Sequence, residues 1–66
     1  MHTTLKIYNI LGQEVVTLVD EDNEPGYYSV KWDGRNAKGV EVSSGVYFYR
    51  LEAGSFVKTR RMLFLK

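Results

Sequence analysis

Short stretches of alternating or continuous apolar residues, separated by turn-forming ones, run the length of the chain and predict strands throughout. Leu5 and Ile7 alternate with Lys6 and Tyr8, the period-two pattern of a strand with one face inward. A turn over 9–12 offers Gly12, and the Val- and Thr-rich stretch 14–19 reads as a second strand. Leu11, Gly12 and Gln13 form the hairpin loop between the two. A polar loop over 20–26 closes with Pro25-Gly26, a strong break in regular structure. Beyond it Tyr28, Val30 and Trp32 point one way while Ser29 and Lys31 point the other.

The second half of the chain continues this rhythm. Residues 33–39 carry two glycines and two Asx side chains, suited to positive φ and to side-chain turn bonds. A very short strand is expected over 40–42, a turn over 43–45, and a central strand covered on both faces over the nearly continuous apolar run 46–51. Ala53, Gly54 and Ser55 make a tight hairpin into a last strand over 56–65. No apolar stripe of helical spacing lasts ten residues, so no substantial helix is expected. The pattern predicts one all-β domain over 1–66, an antiparallel β-sandwich or barrel of five to six strands, without internal repeat or linker. Its core gathers Ile7, Val30, Trp32, Tyr47, Tyr49 and Leu51. Trp32, the single tryptophan, makes the largest contribution.

Sixty-six residues bury only roughly 60% of the surface that the unfolded chain exposes, so the core supplies about 3–5 kcal/mol of net stability. The absence of cysteine excludes disulfides and thiolate metal sites. Nine Lys and Arg against eight Asp and Glu give a net charge of +1, which provides no general pull toward nucleic acid or an acidic membrane. The longest apolar run, 62–65, is far too short to span a bilayer. The opening residues lack a secretory signal pattern, so any export signal is expected elsewhere or in the domain itself.

Catalytic chemistry finds little to work with. The single histidine, His2, is expected at a frayed terminus. Ser29, Ser43, Ser44 and Ser55 have no nearby base, so a Ser-His-Asp arrangement cannot be assembled. The scattered carboxylates read as solvating groups, and a non-enzyme without cofactor is expected. Asp20, Asp22 and Glu24 resemble the start of a calcium loop. Pro25, however, stands where such a loop needs glycine, and a solvated turn is the expectation. Nine aromatic side chains, among them Tyr8, Trp32, Tyr47 and Phe64, are expected to fill the core rather than form a stacking platform. Lys58, Arg60, Arg61 and Lys66 make the last strand basic. With near-balanced total charge this reads as an edge strand protected against aggregation or as a surface for a protein partner, not for nucleic acid.

Three stretches together carry a family likeness: Leu5-Lys6-Ile7-Tyr8-Asn9-Ile10-Leu11-Gly12-Gln13-Glu14-Val15, then Pro25-Gly26-Tyr27-Tyr28-Ser29-Val30-Lys31-Trp32-Asp33-Gly34, then Ser44-Gly45-Val46-Tyr47-Phe48-Tyr49-Arg50-Leu51. In this order they resemble the C-terminal sorting domain of proteins exported by the type IX secretion system, and the related immunoglobulin-like domain of the flagellar hook-capping protein family. The resemblance implies an immunoglobulin-like β-sandwich that serves as an address. The module is carried through the periplasm and across the outer membrane by the secretion machinery, and the parent protein reaches the cell surface or the medium. Three motifs map onto named residues: Pro25, Gly26 and Tyr28; Gly45 and Tyr47; and the terminal basic–apolar–basic run Arg61, Met62, Leu63, Phe64, Leu65 and Lys66. The other readings are an accessory adhesion or binding module and a structural spacer. Family members open with a further strand before the one at 5–9, whereas Met1, His2, Thr3 and Thr4 alone precede it here. An unpaired edge at 5–9, and with it a homo-oligomer, is therefore expected.

Overall fold

A computed structural model describes residues 2–22 and 31–65. Four strands form one antiparallel sheet: β1 (His2–Tyr8), β2 (Glu14–Asp22), β3 (Gly45–Ala53) and β4 (Phe56–Phe64), in the order β2-β1-β3-β4. The β1–β2 and β3–β4 hairpins are those that the alternation and the Gly12 and Gly54 turns predict. The all-β antiparallel class holds in its coarse form, but the described residues contain one sheet of four strands, not a sandwich of five to six. Most of the strand expected around Tyr28 and Val30 lies outside the described residues. Trp32 itself is in no strand, and the stretch 40–42 supplies a single isolated bridge, Arg35 to Glu41.

Three further expectations are corrected. The edge at 5–9 is not bare: β1 is paired along both sides, with β2 through Leu5↔Val19 and Ile7↔Val16, and with β3 through Leu5↔Leu51 and Ile7↔Tyr49. Among the described residues the edges of the sheet are β2 and β4. His2 is not frayed. It opposes Asp22 in the ladder and lies 2.6 Å from Asp20 and 3.2 Å from Asp22 through its two ring nitrogens. That ladder and these contacts extend β2 through Asp20 and Asp22, against the low strand propensity of aspartate, where a loop is expected from sequence.

Register sorts the side chains between two faces. Thr3, Leu5 and Ile7 share a face with Tyr47, Tyr49 and Leu51, and with Met62 and Phe64 of β4. On the opposite face lie His2, Lys6, Glu14, Arg50 and Glu52, tied in exposed ion pairs such as Lys6–Glu14 at 3.2 Å and Arg50–Glu52 at 2.8 Å. β3 is thus central in the sheet, and its outer face mixes Val46 and Phe48 with Arg50 and Glu52. The alternating strand polarity, not the apolar run, decides this, because Arg50 faces out. Among the described residues Ile7 at 2% and Tyr47 at 6% exposure are the buried apolar side chains, while Tyr49, Leu51 and Trp32 are half-buried.

The inner face is roofed at one end by the segment 31–44. Two bulges in β2, between Leu5/Lys6 and between Ile7/Tyr8 in the β1 register, leave Leu18 and Val15 without partners in the ladder. The Val15 carbonyl is free to accept the Ala37 N–H at 3.1 Å, which ties the segment to β2. The segment and the β1–β2 hairpin use the same turn. In each, an asparagine (Asn9, Asn36) accepts through Oδ1 the N–H groups two and four residues ahead, and its carbonyl accepts the N–H of a glycine three ahead. Those glycines, Gly12 at φ 80° and Gly39 at φ 78°, take the left-handed conformation that other residues enter only at a cost.

Candidate functional site

The terminal strand and the aromatic cluster beneath it bring together most of the residues singled out from sequence. Trp32, Tyr47 and Phe64 pack on one another. The Trp32–Tyr47 centroids are 5.2 Å apart at 68°, Trp32–Phe64 4.9 Å apart at 44°, and Tyr47–Phe64 6.2 Å apart at 81°. These edge-on and tilted arrangements suit the ring quadrupoles. Each polar atom of the cluster is satisfied. Trp32 Nε1 donates to the Arg35 carbonyl at 2.9 Å, and the Tyr47 hydroxyl donates to the Ser43 carbonyl at 2.6 Å. Removing that hydroxyl as Tyr47→Phe is expected to lower stability by about 1 kcal/mol, measured by urea denaturation. No loss would show that the carbonyl is equally well solvated.

Gly34 completes the cluster. It is buried, sits at φ 77°, and a Cβ built on it would run into the Phe64 ring. Its neighbours hold the turn: Asp33 Oδ1 accepts the Arg35 N–H at 3.1 Å, the Val42 N–H donates to the Gly34 carbonyl at 2.9 Å, and the Arg35 guanidinium donates to the Gly39 carbonyl at 2.8 Å. Of the Gly45/Tyr47 motif, Gly45 opposes Phe64 in the ladder and Tyr47 packs against the rings of Trp32 and Phe64.

β4 divides the terminal motif by parity. Met62 and Phe64 face inward, opposite Tyr47 and Gly45, whereas Arg61 and Leu63 face outward, opposite Phe48 and Val46. Leu63 is 65% and Leu65 71% exposed. A shallow hollow of ≈ 270 Å³ is lined by Val46, Arg61, Met62 and Leu63. Lys66 and the Pro25, Gly26 and Tyr28 motif lie outside the described residues. Sequence reasoning missed two features, Gly34 as the seat of Phe64 and the repeated asparagine turn. The shared Asn-x-x-Gly spacing of 9–12 and 36–39 was the visible signal for the second.

At the opposite end of the sheet, His2 is held above its ordinary pKa of 6.5, first by its hydrogen bond to Asp20 and then by that to Asp22. Only the imidazolium donates from both nitrogens. Because the folded value is raised, this contribution is fully present below the unfolded pKa of 6.5 and fades as pH climbs through the folded one. An NMR titration of His2 is expected to give a midpoint above 6.5 that falls back in Asp20→Asn. An unshifted midpoint in the unsubstituted protein would contradict the pairing.

A family model described as the FlgD Ig-like domain matches residues 1–56. No curated protein and no solved structure matches the chain. The matched stretch ends on Phe56, the first residue of β4, and spans β1, β2, the segment 31–44 and β3. Since it covers well over half of the 66 residues, the chain belongs to the FlgD Ig-like domain family.

Proposed function

We propose that this domain is a non-enzymatic sorting module. The outer-membrane type IX secretion machinery recognises it and carries its larger parent protein through the periplasm to the cell surface. The observation that bears most of the weight is the division of β4. Its inward residues Met62 and Phe64 fasten the strand to the sheet, and its outward residues Arg61 and Leu63 flank a shallow hollow at the sheet's margin. An edge strand offers main-chain donors and acceptors to a receptor, and its outward side chains add specificity. The resemblance of the terminal run Arg61, Met62, Leu63, Phe64, Leu65 and Lys66 to the sorting motif, and of Gly45 and Tyr47 to the Gly-x-Tyr motif, supports the same reading.

An accessory adhesion or binding module is the second reading. It draws on Ile10 and Leu11, which stand 71% and 78% exposed at the β1–β2 turn. The rings of Trp32, Tyr47 and Phe64 favour the sorting reading over carbohydrate stacking, since they pack on each other rather than forming a coplanar row. The test is a fusion of the domain to a periplasm-delivered reporter in a type IX-competent bacterium. Surface display or release of the reporter is expected. Retention in the periplasm, with the domain folded, would reject the sorting reading and leave the binding module or the spacer.

A further inference from the structure

The two margins of the sheet carry opposite charge. β2 holds Glu14, Asp20, Glu21 and Asp22 and no Lys or Arg, whereas β4 holds Lys58, Arg60 and Arg61 and no Asp or Glu. Among the described residues none of these three cations has an ion-pair partner, and all of 56–61 is exposed, including Phe56 at 53% and Val57 at 50%. Three antiparallel steps separate β2 from β4 across the sheet, so the two edges run in opposite directions. A second copy displaced sideways in the same orientation therefore presents its β2 antiparallel to β4 of the first, with inner face aligned to inner face.

We infer that this protein associates with itself edge to edge, β4 of one copy adding to β2 of the next. The contact joins two different surfaces, so it does not close a pair and grows as an open row. This rests on the edges alone and not on the sorting reading. The ladder rows give the register. Thr3 lies level with Glu21 and, through Ala53, with Phe56, and Leu5 lies level with Val19 and, through Leu51, with Lys58. A level copy thus places Lys58 diagonal to Glu21 on the same face, within reach of a cross-strand ion pair. The bulges of β2 lie at Val15 and Leu18 and leave 19–22 regular, so the acidic end of the strand is the part able to continue a ladder. Like charge disfavours β4 against β4 and β2 against β2, which leaves the mixed contact as the one that the charges permit. Charged edges ordinarily guard against aggregation, but edges of opposite sign guard only against their own kind.

The test pairs two charge-reversed variants. Lys58→Glu with Arg60→Glu makes both edges acidic, and Glu21→Lys with Asp22→Lys turns the regular end of β2, residues 19–22, net positive like β4. The sites are exposed, and circular dichroism with thermal melting checks that each variant folds. By sedimentation velocity the unsubstituted protein is expected to shift to larger species with concentration, without a discrete limit. The apparent association should weaken about tenfold between 50 and 500 mM salt, as expected of a few screened pairs. Each variant alone is expected to stay monomeric, and an equimolar mixture to associate again. A monomer under every condition, salt-independent association, or a mixture that fails to associate while each variant is folded would overturn the inference.

Discussion

Trp32→Ala is expected to leave the domain largely unfolded at 25 °C. Truncating a packed tryptophan costs about 3–5 kcal/mol, comparable to the roughly 3–5 kcal/mol that a core of this size supplies. The loss has three physical parts. The rings of Tyr47 and Phe64 lose their common neighbour, 5.2 and 4.9 Å away. The Arg35 carbonyl loses the Nε1 donor. The segment 31–44 loses its ring contacts with the sheet and keeps only main-chain ties such as Ala37 to Val15. Far-ultraviolet circular dichroism with urea titration reads the result without relying on the fluorescence of the removed ring. A cooperative transition near that of the unsubstituted protein would show that the aromatic cluster is not the core.

Gly34→Ala is expected to cost about 2–4 kcal/mol, the sum of a left-handed backbone term and forced displacement of a packed ring. The ring is Phe64, which cannot swing aside without leaving Trp32 and Tyr47. Gly39→Ala provides the internal comparison. Its φ of 78° matches that of Gly34, but nothing lies within 4 Å of the added methyl. It should therefore show only the backbone part, about 1–2 kcal/mol. Equal losses in the two variants, read from denaturation midpoints, would mean that Phe64 yields freely and that the Gly34 seat is unimportant.

How much of this was legible in the sequence follows from which interactions are local. The β1–β2 and β3–β4 hairpins join neighbours in sequence through Gly-containing turns, and period-two alternation places Ile7 and Tyr47 inward. Both were readable. The pairing of β1 with β3 was not, because it joins residues forty to fifty positions apart and no local signal records it. Missing it made 5–9 look like a bare edge, when that strand is the interior partner of two others. Trp32 was recognised as core material but given to a strand. Tyr28 and Val30 lie outside the described residues, and at Trp32 it is the turn held by Asp33, Gly34 and Asn36 that follows. Asp20 and Asp22 read as loop residues because aspartate disfavours strands. The neighbour that reverses this, His2, stands eighteen and twenty positions away. Of the candidate site, the terminal basic–apolar run was visible at once. Its division into an inward anchoring pair and an outward displayed pair required the register with β3.

That division determines how the sorting reading is best examined. Deleting the whole terminal run would remove Phe64 from the aromatic cluster and confuse loss of an address with loss of the fold. The outward pair can be changed by itself. Arg61→Glu combined with Leu63→Asp alters side chains that face away from the core, and exposed changes of this kind shift the melting temperature by no more than about 4 °C. The decisive measurement is the amount of reporter at the cell surface for this double variant beside the unsubstituted fusion, with melting curves of both domains. A fall of about tenfold or more in export, with the melting temperature retained, is the expected result. Export at the unsubstituted level would contradict the assignment of the outward face of β4 as the address.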